Sequence, residues 1–255
     1  MTTVYDILNN LRELAPESLK MDFDNVGLLV GSGGREVKKC VLALDITHEV
    51  IDEAVKLGAE LIISHHPIIF NAQKTLVEDS LVGGKLTKLV KNDISAICMH
   101  TNLDIAAGGV NDALMAKLGL TASGALDKDG CGRTGEYDNP FEFDDFLDMC
   151  KTTLNTKGLR YVSSGKPVKK LAVMGGSGRD YLSAVKAMGC DTYVTADVKY
   201  NQFLDARELG INLIDADHFC TENVVIPVLY ERLSKAFPEV CFKISEVHGQ
   251  TACFY

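Results

Sequence analysis

The chain has 255 residues, 46% apolar and 24% charged, enough for one large α/β domain or two lobes with their own cores and no need of disulfide staples. A formal charge of −9, with no lysine or arginine cluster to offset it, argues against nucleic acid as a primary ligand. Apolar runs are only a few residues long, so neither a signal peptide nor a membrane span is read. The eight cysteines are scattered without a C-x-x-C pair, as reduced cytoplasmic thiols would be.

The opening "MTTVYDILNNLRELAP" predicts an amphipathic helix with Val4, Ile7, Leu8, Leu11 and Leu14 on one face. "DNVGLLVG", from Asp24 to Gly31, is a glycine-bracketed apolar strand whose Asn25 either faces a crevice or shapes a turn. From Lys39 to His66 the pattern is strand, turn, amphipathic helix, glycine, strand. Asp45 closes the first strand, where it either caps the helix or supports a site residue, and His48 sits at the helix start as a capping or surface residue. The second strand ends abruptly in "LIISHHPIIF". "ISAICMHTNLD" then gives a short strand, His100, Asp104 and an apolar helix. The segment "LTASGALDKDGCGRTGEYDNPFEF" is rich in Gly, Asp and Ser and marks a boundary between an N-terminal lobe, 1–122, and a C-terminal lobe, 123–255. A helix with Phe146, Met149, Cys150 and Leu154 on one face follows. "GGSGRD", Gly175 to Asp180, lies between a strand and a helix but lacks the lysine of a P-loop, and reads as a tight turn. The last strands, in about 240–255, either complete the second lobe or return to the first; His248 reads as a turn residue, with a place near the site only if those strands fold back.

The chain repeats itself. "KCVLALDITHEVIDEAVKLGAELIISHH" from Lys39 lies without gaps over "KLAVMGGSGRDYLSAVKAMGCDTYVTAD" from Lys170, placing Gly58 on Gly189, Glu60 on Asp191, and His65-His66 on Ala196-Asp197. A second match puts His100 on His218 and Asp104 on Glu222, so each half holds a histidine with a carboxylate four residues later. Each copy is a βαβ unit, whose crossover requires a mainly parallel sheet; the fold class is α/β, two similar lobes from an internal duplication.

Ligands of open α/β sheets bind at the carboxyl ends of parallel strands, which is where His65, His66, His100, Asp104, His218 and Glu222 fall. Neighbouring side chains on a strand point to opposite faces, so His65 and His66 share one site only if the strand has ended, and Pro67 agrees with that. Two adjacent imidazoles suit two metal ions bridged by a carboxylate. The donor set of His, Asp and Glu without cysteine favours zinc, manganese or iron over calcium.

"DNVGLLVG", "SHHP", "HTNLD", "GCGRTGE", "GGSG", "TAD" and "DHFCTE" stand in the order found in the Nif-three-like proteins, also called GTP cyclohydrolase type 2 homologues, and the chain resembles that family over nearly its whole length. The resemblance implies intertwined α/β/α lobes, a dinuclear metal centre and a toroidal homohexamer. It implies His65 and Asp104 on one metal, His66 and His218 on the other, and Glu222 bridging, with His100 beside them as a further ligand or proton carrier. The implied activity is metal-dependent hydrolysis of a small polar or nucleotide-like substrate. A non-catalytic metal-binding scaffold or interaction protein and a metal trafficking protein are the alternatives. Phe23 stands where the family often has Trp, and Ala196-Asp197 where Gly-Glu is common; neither departure is expected to touch a ligand.

Overall fold

The computed structural model describes residues 1–255. Helix α1 (Val4–Leu14) starts at Thr3, whose hydroxyl accepts from the Asp6 amide while the Asp6 carboxylate accepts from the Thr3 amide, a reciprocal cap. Val4, Ile7, Leu8 and Leu11 of its apolar face are buried and Leu14 is half-buried. The chain continues through β1 (Gly27–Val30), β2 (Lys39–Ala43), α2 (His48–Leu57), β3 (Leu61–Ser64), α3 (Leu81–Lys91), β4 (Ser95–Cys98), α4 (Thr101–Ile105) and α5 (Val110–Lys117). Next come β5 (Arg133–Phe141), α6 (Phe143–Thr153), β6 (Arg160–Val162), β7 (Val168–Val173), α7 (Leu182–Ala187), β8 (Thr192–Thr195), α8 (Tyr200–Leu209), β9 (Asn212–Asp215), α9 (His218–Glu222), α10 (Val225–Ala236) and β10 (Cys241–Ile244).

Contacts divide the chain into two units, residues 1–106 with 226–249 and residues 107–225 with 250–255. The first unit holds a five-stranded sheet in the order β1-β4-β3-β2-β10, parallel except for β1. The second holds a five-stranded sheet in the order β5-β7-β8-β9-β6, its three central strands parallel and both edges antiparallel. The internal repeat is visible in register: Cys40 pairs with Leu61, and its repeat mate Leu171 pairs with Thr192. It is visible in detail as well. Gly58 and Gly189 both end their helices with positive φ, +65° and +68°, a conformation that lacks the Cβ clash only in glycine. Glu60 accepts the amides of Lys38 and Lys39, and Asp191 those of Lys169 and Lys170.

Alternate residues of the central strands serve opposite faces. Leu171, Val173, Val194 and Ile214 pack with Leu114, Phe146, Cys150 and Cys220, whereas Ala172, Tyr193 and Leu213 pack with Val185 and Ala206. Both faces of the second sheet are thus covered by helices, which is why its strands read as almost unbroken apolar runs. In the first unit Val41, Ala43 and Ile62 meet Val50, Ile51, Ala54, Leu86 and Leu89 of α2 and α3.

Composition alone puts the boundary after residue 122, but α5, with Leu114 and Met115 fully buried against Phe146 and Leu171, belongs to the second unit. Reciprocally, nearly all of α10, the repeat mate of α5, and β10 belong to the first. Each unit therefore holds the helix that follows the histidine segment of the other. All eight cysteines are free thiols, six buried and Cys241 and Cys253 exposed. No helix is long and apolar enough to cross a membrane.

Candidate metal centre

Strand β3 ends at Ser64. The amides of His65 and His66 both reach the Leu44 carbonyl, at 3.2 and 2.9 Å, and the Ser64 hydroxyl donates to the His66 carbonyl at 2.8 Å, so the chain turns within this dipeptide. The turn removes the strand alternation, and the two rings lie with centroids 5.0 Å apart. His100 joins them from the end of β4, its ring 5.2 Å from His65 and 5.6 Å from His66. One ring nitrogen from each of the three lies within 4.8 Å of the others. His65 is fully buried, and Asp104 of α4 brings Oδ1 to 3.6 Å from its Nε2.

Each ring is held from behind through Nδ1. His65 Nδ1 donates to the Met99 carbonyl, His66 Nδ1 to Asp45 and His100 Nδ1 to Asp24, every one at 2.8 Å. With the proton fixed on Nδ1, the neutral ring carries its lone pair on Nε2, the tautomer a cation needs, and the acceptor behind it increases the ring's basicity. Asp24 is buried and also accepts from the Thr101 amide and hydroxyl. Burial works to raise its carboxyl pKa, but the hydrogen bonds from His100 and Thr101 and the His100 charge hold it well below the usual carboxylate range. Asp45 likewise stays ionised against burial, because His248 and His66 both bond its carboxylate.

In the second unit His218 opens α9 and Glu222 closes it, one helical turn apart, so Glu222 Oε2 lies 3.0 Å from His218 Nε2. His218 Nδ1 is 2.8 Å from Asp197 Oδ2, the same support as in the first unit. Burial pulls the His218 pKa down, but the bonds and charges of Glu222 and Asp197 outweigh it and raise the pKa to about 9. Glu222 is buried and packs against Gly176, whose φ is +60°. The three glycine amides of "GGSG" are taken by side chains, Gly175 by Asn111, Gly176 by Thr221 and Gly178 by Thr195, so the turn holds the acid's surroundings and does not aim these amides at a phosphate.

Some expectations change. Asp197, expected to touch no ligand, is the residue that orients His218; a left-handed backbone at φ +54° aims its carboxylate there. His248, read as a turn residue, brings Nε2 to 3.0 Å from Asp45 Oδ2 and so stands behind His66. Asn25 neither faces the histidine group nor closes a local turn with this bond: its Nδ2 donates to the carbonyl of Ile69, 44 residues on, at 2.7 Å. His48 is exposed at the start of α2 and takes no part. Asp24 was missed, since its partner lies 76 residues away; a search for an acid to hold each Nδ1 could have proposed it, whereas His248, 203 residues from its partner, depended on the last strand folding back, as β10 does.

Two like α/β units with back-supported histidines at strand ends define a duplicated α/β protein whose clustered His, Asp and Glu side chains could hold a metal ion. The chain belongs to the Duf34/NIF3 (NGG1p interacting factor 3) family, whose model matches residues 2–251. A Clostridium perfringens protein named GTP cyclohydrolase 1 type 2 homolog is 38% identical over 237 residues, 90% of this chain and 90% of its own length. A Helicobacter pylori protein named GTP cyclohydrolase 1 type 2 is 37% identical, covering 87% of this chain and 88% of its own. Among solved structures, a Bacillus cereus protein related to NIF3 superposes with a TM-score of 0.94 at 26% identity, over 100% of this chain and 99% of its own. Reduced HcgD from Methanocaldococcus jannaschii gives 0.84 at 31%, over 96% of this chain and 98% of its own.

Proposed function

We propose that the chain is a dinuclear-metal hydrolase acting on a small polar or nucleotide-like substrate, with zinc, manganese or iron as the metal. His65 and Asp104 would hold one ion, His66 and His218 the other, and Glu222 would bridge them. The observation that carries this is the support of four imidazoles, each with Nδ1 at 2.8 Å from a protein oxygen, which makes Nε2 the ring atom that could face a cation once any proton on it is released. The donor set, imidazole and carboxylate without thiolate, fits a borderline divalent cation. When bound, such a pair supplies Lewis acidity to a scissile C–N, phosphoester or amide bond and makes water acidic enough to ionise near neutral pH.

The protein's own residues would then position and transfer protons. His100, tied to ionised Asp24, is placed to hold a proton on Nδ1 and to accept one at Nε2. The name borne by the Helicobacter relative supports GTP ring opening as the first reaction to test. A homohexamer is proposed for the assembled protein on the family resemblance, with light scattering as the check. For the activity, protein stripped of metal and reloaded with zinc, manganese or iron is assayed against nucleotides, phosphodiesters and amides. Turnover should require the metal and be lost in His66→Ala; turnover that survives both treatments would refute the proposal.

A further inference from the structure

Two phenylalanines of the first unit are left in water beside the histidine group. Phe23 is 62% exposed and Phe70 is 48% exposed, although burying a Phe side chain is worth roughly 1.5–3 kcal/mol. They are not loose. Their rings meet edge to face, centroids 6.1 Å apart at 62°, and Phe70 stands nearly perpendicular to His100, at 6.2 Å and 82°. The two segments are tied together, because Asn25, two residues after Phe23, donates to the carbonyl of Ile69, immediately before Phe70, at 2.7 Å. Asp24, the next residue after Phe23, is the one that orients His100. One set of bonds therefore fixes both a proposed proton carrier and an exposed aromatic corner.

We infer that Phe23 and Phe70 are specificity-determining residues that grip a flat aromatic ring of the substrate, one by its face and the other by an edge. Rings at 62° cannot sandwich a plane, but a ring stacked on one meets the other edge-on, the two arrangements aromatic pairs prefer. Two side chains are far too small for a stable protein interface, which needs on the order of 1,000 Å², whereas they match one heterocycle. Contact of Phe70 with His100 sets the substituents of such a ring beside the histidine group. The inference rests on the metal-centre reading for its chemistry, but the binding it describes is measured separately.

The test uses metal-loaded, full-length protein and calorimetry with GTP, ATP and CTP against inorganic tripolyphosphate, which has the phosphates without the ring. At least one nucleotide should bind more tightly than tripolyphosphate. Phe23→Ala and Phe70→Ala should each weaken that nucleotide roughly five- to hundred-fold, the range of base–aromatic stacking, while tripolyphosphate affinity, metal content and oligomeric mass stay unchanged. Phe23→Trp should keep the preference. The inference is overturned if no nucleotide gains over tripolyphosphate, if either alanine variant binds nucleotide like the wild type, or if those variants change the oligomer instead. A wild-type protein that takes up no metal defeats the metal-centre reading, and the ring preference is still decided by the same titrations.

Discussion

Replacing Gly176 with alanine separates backbone strain from damage to the proposed metal centre. At φ +60° an L-residue costs roughly 1–2 kcal/mol, and its Cβ would stand 2.0 Å from Glu222 Oε1 and 3.1 Å from His218 Nε2. The carboxylate is the end of a flexible side chain and can move, so the clash is relieved by displacing Glu222 more than by unfolding. Gly189 of the same unit is the control: its φ is +68° with nothing within 4 Å of a Cβ. Both alanine variants should therefore lose roughly 1–2 kcal/mol, a fall of roughly 2–8 °C in Tm for a chain of this size. In chelator-competition titrations Gly189→Ala should bind metal like the wild type. Gly176→Ala should bind at least about tenfold more weakly, the low end of what loss of an outer-shell partner costs. Equal metal affinities in the two variants would refute the placement of Glu222 as a ligand.

Asp24→Asn and Asp45→Asn keep the shape of the acids behind His100 and His66 but remove their charge; Asp45→Asn should weaken metal binding about 10–100-fold, and Asp24→Asn, which loosens the hold on His100, should lower turnover, both checked against the fold by circular dichroism. His218, raised to about 9 by Glu222 and Asp197, holds a proton in the metal-free protein at pH 7, so metal uptake should release it; calorimetry in buffers of different ionisation heat should show this, and affinity should fall about tenfold for each pH unit below 9. The same raised pKa means that this pair stabilises the metal-free protein fully below pH 6.5 and loses that contribution as pH rises towards about 9, which denaturation midpoints across that window will read.

The histidines were legible because their signals are local: a strand cut short by His65-His66-Pro67, and a His-x-x-x-acid segment occurring twice. The partners behind them were less so. Asp45 closes a strand and was open to either reading, but Asp24 and His248 act through contacts that span much of the chain, and no periodicity points to those. The repeat also hid a difference it could have shown. Position 66 is a histidine in one copy and Asp197, the support of His218, in the other, while Asp45 is matched by Gly176, the residue that makes room for Glu222. The parallel cores followed from two βαβ patterns. Their edges did not: β10 joins β2 in parallel and β5 joins β7 antiparallel, a choice made by where the chain returns. The exchange of α5 and α10 is of the same kind, since an apolar helix face does not say which sheet it covers.

Metal content per chain tests the central claim most directly. Elemental analysis of purified, reloaded protein should find two divalent ions per chain in the wild type and fewer than two in His66→Ala, with the fold intact by circular dichroism. One ion or none in the wild type, or two retained by the variant, would contradict a dinuclear centre built on these histidines.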